Sequence, residues 1–141
     1  MHTLRHVIQR QKLIHTAPSA TVFEVAALMS RARVGCLPVL DGGRLVGVFS
    51  ERDLMTRVVV EERDARQTSV GSVMTREVIT ACLDDSVERC VDKMHGCGCR
   101  HLPVVAEGRV IAMISMRDLM RDEIEEQVAE IRGLREYIHQ A

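Results

Sequence analysis

The chain has 141 residues, room for one ordinary compact domain, and its 46% apolar composition is enough to build a packed core. A formal net charge of -1, with 28% charged residues of mixed sign, leaves no broad basic surface to hold a nucleic-acid backbone, and Phe23, Phe49 and Tyr137 alone make no base-stacking platform. No segment approaches the ~18 apolar residues of a membrane span. The amino terminus lacks a secretory leader's apolar run and cleavage site, and five scattered cysteines suit a reducing compartment, so a cytoplasmic protein is expected, with neither nucleic-acid nor membrane partners.

In chain order, residues 1–12 predict a short N-terminal helix over 3–11 with Leu4, Val7 and Ile8 on one side. Lys12 to Thr16 predicts a short strand, broken at Ala17-Pro18-Ser19, and Ser19 or Thr21 can cap the next helix. Val22, Val25, Ala26 and Met29 then fall at helical spacing over 21–31. Leu37 to Leu40 is a brief apolar strand, Asp41-Gly42-Gly43 is a hairpin signal, and Arg44 to Phe49 is the partner strand. Ser50 opens a helix to about Val60, and the polar segment 61–72 reads as a linker.

The same order then recurs. Leu37-Pro38-Val39 returns as Leu102-Pro103-Val104, and the run Ser50-x-Arg52-Asp53-Leu54-Met55 returns as Ser115-x-Arg117-Asp118-Leu119-Met120, at a constant offset of 65 residues. Ile14, Val22, Met29 and Gly43-Arg44 map by the same step onto Ile79, Val87, Met94 and Gly108-Arg109. The second copy predicts a strand near Val78–Thr80, a helix at 85–95, strands at 101–105 and 109–114, and a helix from Ser115. Each unit is thus β-α-β-β-α, the first over 13–60 and the second over 73–121. Units of ~50 residues bury too little surface alone, so an α/β module is expected in which two repeats pack on each other across a cleft. Ile124, Val128, Ile131, Leu134 and Ile138 place one apolar stripe on a C-terminal amphipathic helix over 122–141.

The candidate chemistry sits at the repeated strand ends. Ser50-Glu51-Arg52-Asp53 and Ser115-Met116-Arg117-Asp118 each stand where an apolar strand gives way to a helix start, a place with free N–H groups and partial positive charge that suits phosphate. A hydroxyl and an arginine extend such an anion site, and an aspartate one turn on can accept two hydrogen bonds from ribose hydroxyls. For a single copy, the plainer alternative is a helix cap; duplication of the tetrad points to a nucleotide. Arg100 and His101, just ahead of the second Leu-Pro-Val strand, can reach a phosphate, while the first copy has Gly35 and Cys36 there, so the two clefts should differ.

A second constellation, His95-x-Cys97-x-Cys99-x-His101, offers thiol or soft-metal ligands, but two-residue spacing does not wrap readily round one tetrahedral ion. Small buried cysteines are the simpler expectation, with a thiol or metal sensor as the alternative. No nucleophile elbow, Walker loop or H-E-x-x-H helix is present, so an enzyme is not expected.

These residues resemble a known family. The unit order, the Leu-Pro-Val strands, the G-x-h-x-G-h-h-S-x-x-D run of Gly43 to Asp53 and the run Arg100-His101-Leu102-Pro103-Val104-Val105 are similar to a pair of cystathionine-β-synthase (CBS) domains, over about residues 3–122. The resemblance implies two repeats related by pseudo-two-fold symmetry, with short helices at both ends. It implies a non-covalent adenine nucleotide ligand, AMP, ATP or NAD(H), and a regulatory role. It carries the ribose aspartate onto Asp53 and Asp118, the hydroxyl ligand onto Ser50 and Ser115, the phosphate-facing cations onto Arg52, Arg100, His101 and Arg117, and the adenine-facing backbone onto His15-Thr16 and Thr80-Ala81. Ala112 stands where the first copy has Gly47, a departure from the pattern. A homodimer through helical faces at 21–31, 53–60 and 124–138 is expected, together with an effector protein acting in trans.

Overall fold

The computed structural model describes residues 3–8 and 12–140. A β-hairpin lies at the centre of each repeat: β1 (Cys36–Asp41) pairs antiparallel with β2 (Arg44–Ser50), and β3 (His101–Ala106) pairs with β4 (Arg109–Ser115). Both turns need two successive left-handed residues, supplied by Gly42 and Gly43 in the first hairpin and by Glu107 and Gly108 in the second. The duplication extends to an irregularity, since the register slips between Val39 and Leu40 and again between Val104 and Val105.

Two helices at the same offset cover these hairpins, α2 (Val22–Ala32) and, in the second repeat, the helix Val87–Cys97. Thr21, not Ser19, caps α2: its hydroxyl accepts from the Glu24 N–H at 3.2 Å while the Glu24 carboxylate accepts from the Thr21 N–H. Ser86 caps its counterpart by one half of this arrangement, its hydroxyl accepting from the Arg89 N–H at 3.1 Å. After β2 the chain turns through α3 (Glu51–Asp53) into a wider, π-helical stretch, Leu54–Val59. The later helices are α4 (Val70–Val73), α5 (the Val87–Cys97 helix) and α6 (Met116–Gln140); the first, α1, is Leu4–Val7.

The ends and edges differ from expectation. The N-terminal helix covers Leu4–Val7, and residues 9–11 of the expected span lie outside the described residues. The C-terminal helix is not a short separate element, because α6 runs unbroken for 25 residues from the second tetrad. Gly133 costs such a helix about 1 kcal/mol, too little to end it among good helix formers. The segments at Lys12–Thr16 and Val78–Thr80 are not strands. Each repeat instead makes one parallel bridge, Thr16 beside Val39 and Ala81 beside Val104. Thr16 donates to the Pro38 carbonyl at 3.2 Å and accepts from the Leu40 N–H at 2.8 Å, and Ala81 does the same with Pro103 and Val105 at 2.9 Å each. The next bond of either ladder would need an N–H from Pro38 or Pro103, which proline lacks.

Two apolar cores result, and each is completed from the other repeat's leading segment. Val22, Val25, Met29, Leu37, Val39, Phe49 and Val58 enclose Val70, Val73 and Met74, whereas Val87, Cys90, Met94, Leu102, Val104, Ile114 and Leu119 enclose Leu4. The crossing is fixed by polar contacts: the Leu4 N–H donates to the Asp85 carbonyl, the His6 ring stands 3.8 Å from the buried Asp122 carboxylate, and Thr75 and Val48 exchange two backbone hydrogen bonds at 2.8 and 2.9 Å. The repeats are thereby interlocked, with β2 and β4 against each other at the centre.

Candidate functional site

Ser115 ends β4 and caps α6. Its hydroxyl accepts from the Asp118 N–H at 3.1 Å, and its own N–H donates to Asp118 Oδ2 at 2.9 Å. Asp118 Oδ1 makes no hydrogen bond among the described residues. That oxygen is on a half-buried side chain lining an open cleft of about 1550 Å³ between the repeats. Lys12, Leu13 and Ile14, the end of α2 to Arg33, and Gly35-Cys36 form one wall; Arg100, His101, Ser115, Arg117, Asp118 and Arg121 form the other. Leu13, Ile14, Met29 and Met113 offer aliphatic surface to a flat ring, and cations line both walls, Lys12 and Arg33 on the first and Arg100, Arg117 and Arg121 on the second.

Of the residues expected at a ligand, the structure brings Arg100, His101, Ser115, Arg117 and Asp118 into this one cleft. Ser50, Arg52, Asp53, Thr16 and Thr80 do not line it. Thr16 spends both backbone groups on the bridge to β1, so Lys12 to Ile14 take the wall position instead. The Thr80 carbonyl accepts from Lys93 Nζ at 2.9 Å, which is also held at 2.7 Å by the buried carboxylate of Asp85. Arg52 points to solvent.

Asp53 is the sharpest departure from the repeat. It is buried, and both carboxylate oxygens are engaged by the chain itself. Oδ2 accepts from the Ser50 N–H at 3.0 Å and the Ser50 hydroxyl at 3.1 Å; Oδ1 accepts from the Thr75 hydroxyl at 3.0 Å and lies 3.6 Å from Arg57 Nε.

Sequence reasoning missed Lys12, Arg33, Glu51 and Arg121 as cleft residues. Arg121 was within reach, since it stands one turn after Arg117 on a helix that simply continues. Arg33 ends α2 in a left-handed conformation, which no local pattern announces. Glu51 and His101 flank Gly35, where a Cβ would stand 3.4 Å from Glu51 Cδ and 3.5 Å from His101 Cε1. Burial, and then the Arg100 charge, push His101 below its ordinary pKa against the opposing pull of Asp118 and Glu51.

The cysteines separate into two groups. Burial first, with help from Asp53, pushes the Cys36 thiol up to about 12, and burial with the Asp85 charge pushes Cys90 up to about 11, so neither is a reactive thiolate. The expectation of buried cysteines fails for Cys97, which is exposed at the end of α5 and disulfide-bonded to Cys99. No group of three or more His, Cys, Asp or Glu side chains is placed to hold a metal among the described residues. His95 is exposed and His101 turns into the cleft.

Two hairpin-and-helix units in tandem, enclosing a cleft with this tetrad, define a paired repeat module. The chain belongs to the CBS domain family, whose model matches residues 4–60 and 70–125. It is 32% identical over 123 residues to the mitochondrial CBS domain-containing protein CBSX3 of Arabidopsis thaliana, covering 84% of this chain and 60% of that protein. It is 30% identical over 113 residues to the CBS domain-containing protein YhcV of Bacillus subtilis (strain 168), covering 80% of each. Among solved structures, a CBS domain protein of Pyrobaculum aerophilum complexed with AMP is 26% identical with a TM-score of 0.76, covering 83% of this chain and 89% of that one. The chain thus spans about 60% of the length of CBSX3, and no enzyme family is indicated by these matches. No helix among the described residues is long and apolar enough to cross a membrane.

Proposed function

We propose that the chain is a regulatory module that binds an adenine nucleotide, AMP, ATP or NAD(H), in the cleft between its repeats. The observation that carries this is the convergence of an open Asp118 oxygen, a capped helix start and the cations Arg100, Arg117 and Arg121 on one cavity. Asp118 accepts from the ribose, the α6 start and Arg100 receive phosphate, and the base lies on the aliphatic wall. The Pyrobaculum relative's AMP supports the ligand class. Titrating AMP, ATP, NADH and adenosine into the wild type and Arg100→Ala tests it. Loss of a charged hydrogen bond should weaken AMP and ATP by about 10- to 150-fold and leave adenosine nearly unchanged. Equal loss for adenosine and AMP would place Arg100 elsewhere than at phosphate.

Assembly as a homodimer is part of the same proposal, with one revision. The apolar face of α2 is spent on the core, and Arg66 stacks over the exposed Phe23 at 3.8 Å. Met55, Val59, Val60 and, along α6, Ile124, Ile131, Leu134 and Ile138 remain exposed, more apolar surface than a lone chain usually leaves. Light scattering should give the mass of two chains at micromolar concentration, and a single-chain mass with and without AMP would contradict the dimer. An effector in trans would read ligand-dependent changes on this surface.

A second reading, a thiol sensor, is favoured by the Cys97–Cys99 disulfide one residue ahead of Arg100. It requires nucleotide affinity to change when that bond is reduced. The nucleotide sensor requires only that binding occurs in either state.

A further inference from the structure

We propose that each chain binds a single nucleotide, in the Asp118 cleft, and that Asp53 is a latch holding the segment Met74–Thr75 on the first repeat. The single-site half rests on the nucleotide reading above, whereas the latch rests on geometry alone. Asp53 has no oxygen to offer a ribose: Ser50 takes one, and Thr75 with Arg57 takes the other. Arg57 completes the latch by donating to the Met74 carbonyl at 2.8 Å and the Val73 carbonyl at 3.3 Å. Thr75 is fixed further by its two backbone bonds to Val48. A ligand at Asp53 would have to break this set in a buried setting, where each polar group left without a partner is costly.

The repeat offset supplies a second, independent line. It carries the cleft cations Lys12, Arg33, Arg100, Arg117 and Arg121 onto Glu77, Gly98, Gly35, Arg52 and Thr56, so one cation survives and one is reversed in sign. Arg57 itself maps onto Asp122, which means that Asp118 has no cation at the position that latches Asp53. The two aspartates occupy matching places in the repeat and do different work. One opens to the cleft, and the other ties the repeats together.

Calorimetric titration of AMP into the wild type, Asp53→Asn, Thr75→Val and Asp118→Asn, with melting temperatures of each, tests both halves. The expected stoichiometry is one AMP per chain in the wild type, with affinity kept within about threefold in Asp53→Asn and Thr75→Val and lowered well beyond threefold in Asp118→Asn. Melting should fall by roughly 3–8 °C in Asp53→Asn and in Thr75→Val, two variants that strike the same hydrogen bond from either end. Two AMP per chain, or a binding step that vanishes in Asp53→Asn, overturns the single-site proposal. Unchanged melting in both latch variants overturns the latch. If the wild type binds no AMP, the nucleotide reading falls and the single-site half with it, while melting still decides the latch.

Discussion

Asp118→Ala is expected to lower AMP affinity by about 5- to 150-fold, the loss of two hydrogen bonds from ribose hydroxyls to one carboxylate. Oδ2 is held by the Ser115 N–H at 2.9 Å, which orients the group on the cleft wall, and Oδ1 has no hydrogen-bond partner among the described residues. Adenosine should lose as much as AMP, because the proposed contact is to the sugar, and this separates Asp118 from Arg100. Alanine also removes an acceptor at the start of α6, so some stability loss, about 0.5–2 kcal/mol, accompanies it. Asp118→Asn keeps one acceptor and most of the cap, and should show intermediate affinity with nearly native melting. Wild-type affinity in Asp118→Ala, with only the melting temperature lowered, would reduce Asp118 to a capping residue.

The hairpins, the helices over them and the tandem order were legible in sequence because they rest on local signals: glycine at the turns, apolar residues at helical spacing, and a constant offset that made each assignment twice. The failures fall where a distant contact decides. Asp53 and Asp118 look alike in a tetrad matched at three of its four positions, and Thr75, 22 residues beyond Asp53, together with Arg57 makes them different. Thr16 and Thr80 were displaced from the cleft by backbone bonding to β1 and by Lys93, neither visible in the segments themselves. The missing strands, by contrast, were readable after the fact. Pro38 and Pro103 sit in the facing strand, and a ladder beside a proline loses the very N–H it needs. Repeat symmetry therefore gave the fold more securely than the candidate site, since the copies diverge in the residues that line the cleft.

Gly47 against Ala112 is one such divergence, and it yields the largest stability effect expected. Gly47 lies in β2 opposite Val39, and Ala112 holds the matching place in β4 opposite Val104. A Cβ on Gly47 would stand 2.6 Å from Met74 Sδ and 2.8 Å from the Thr75 carbonyl oxygen. The methionine can swing away. The carbonyl cannot, because it accepts from the Val48 N–H at 2.9 Å while Thr75 donates back at 2.8 Å and its hydroxyl is bound to Asp53. Gly47→Ala must therefore push the leading segment of the second repeat off the first. That overpacking is expected to cost about 1–3 kcal/mol, lowering the melting temperature by roughly 3–15 °C. Alanine for glycine in an unobstructed strand would instead stabilise by roughly 0.5–1 kcal/mol, so the sign of the shift decides the matter. The reverse change, Ala112→Gly, should lower stability only by that smaller amount plus the lost burial of one methyl group. A melting temperature that rises in Gly47→Ala would mean that Met74–Thr75 does not rest on β2, and the interlocking of the repeats would have to be sought elsewhere.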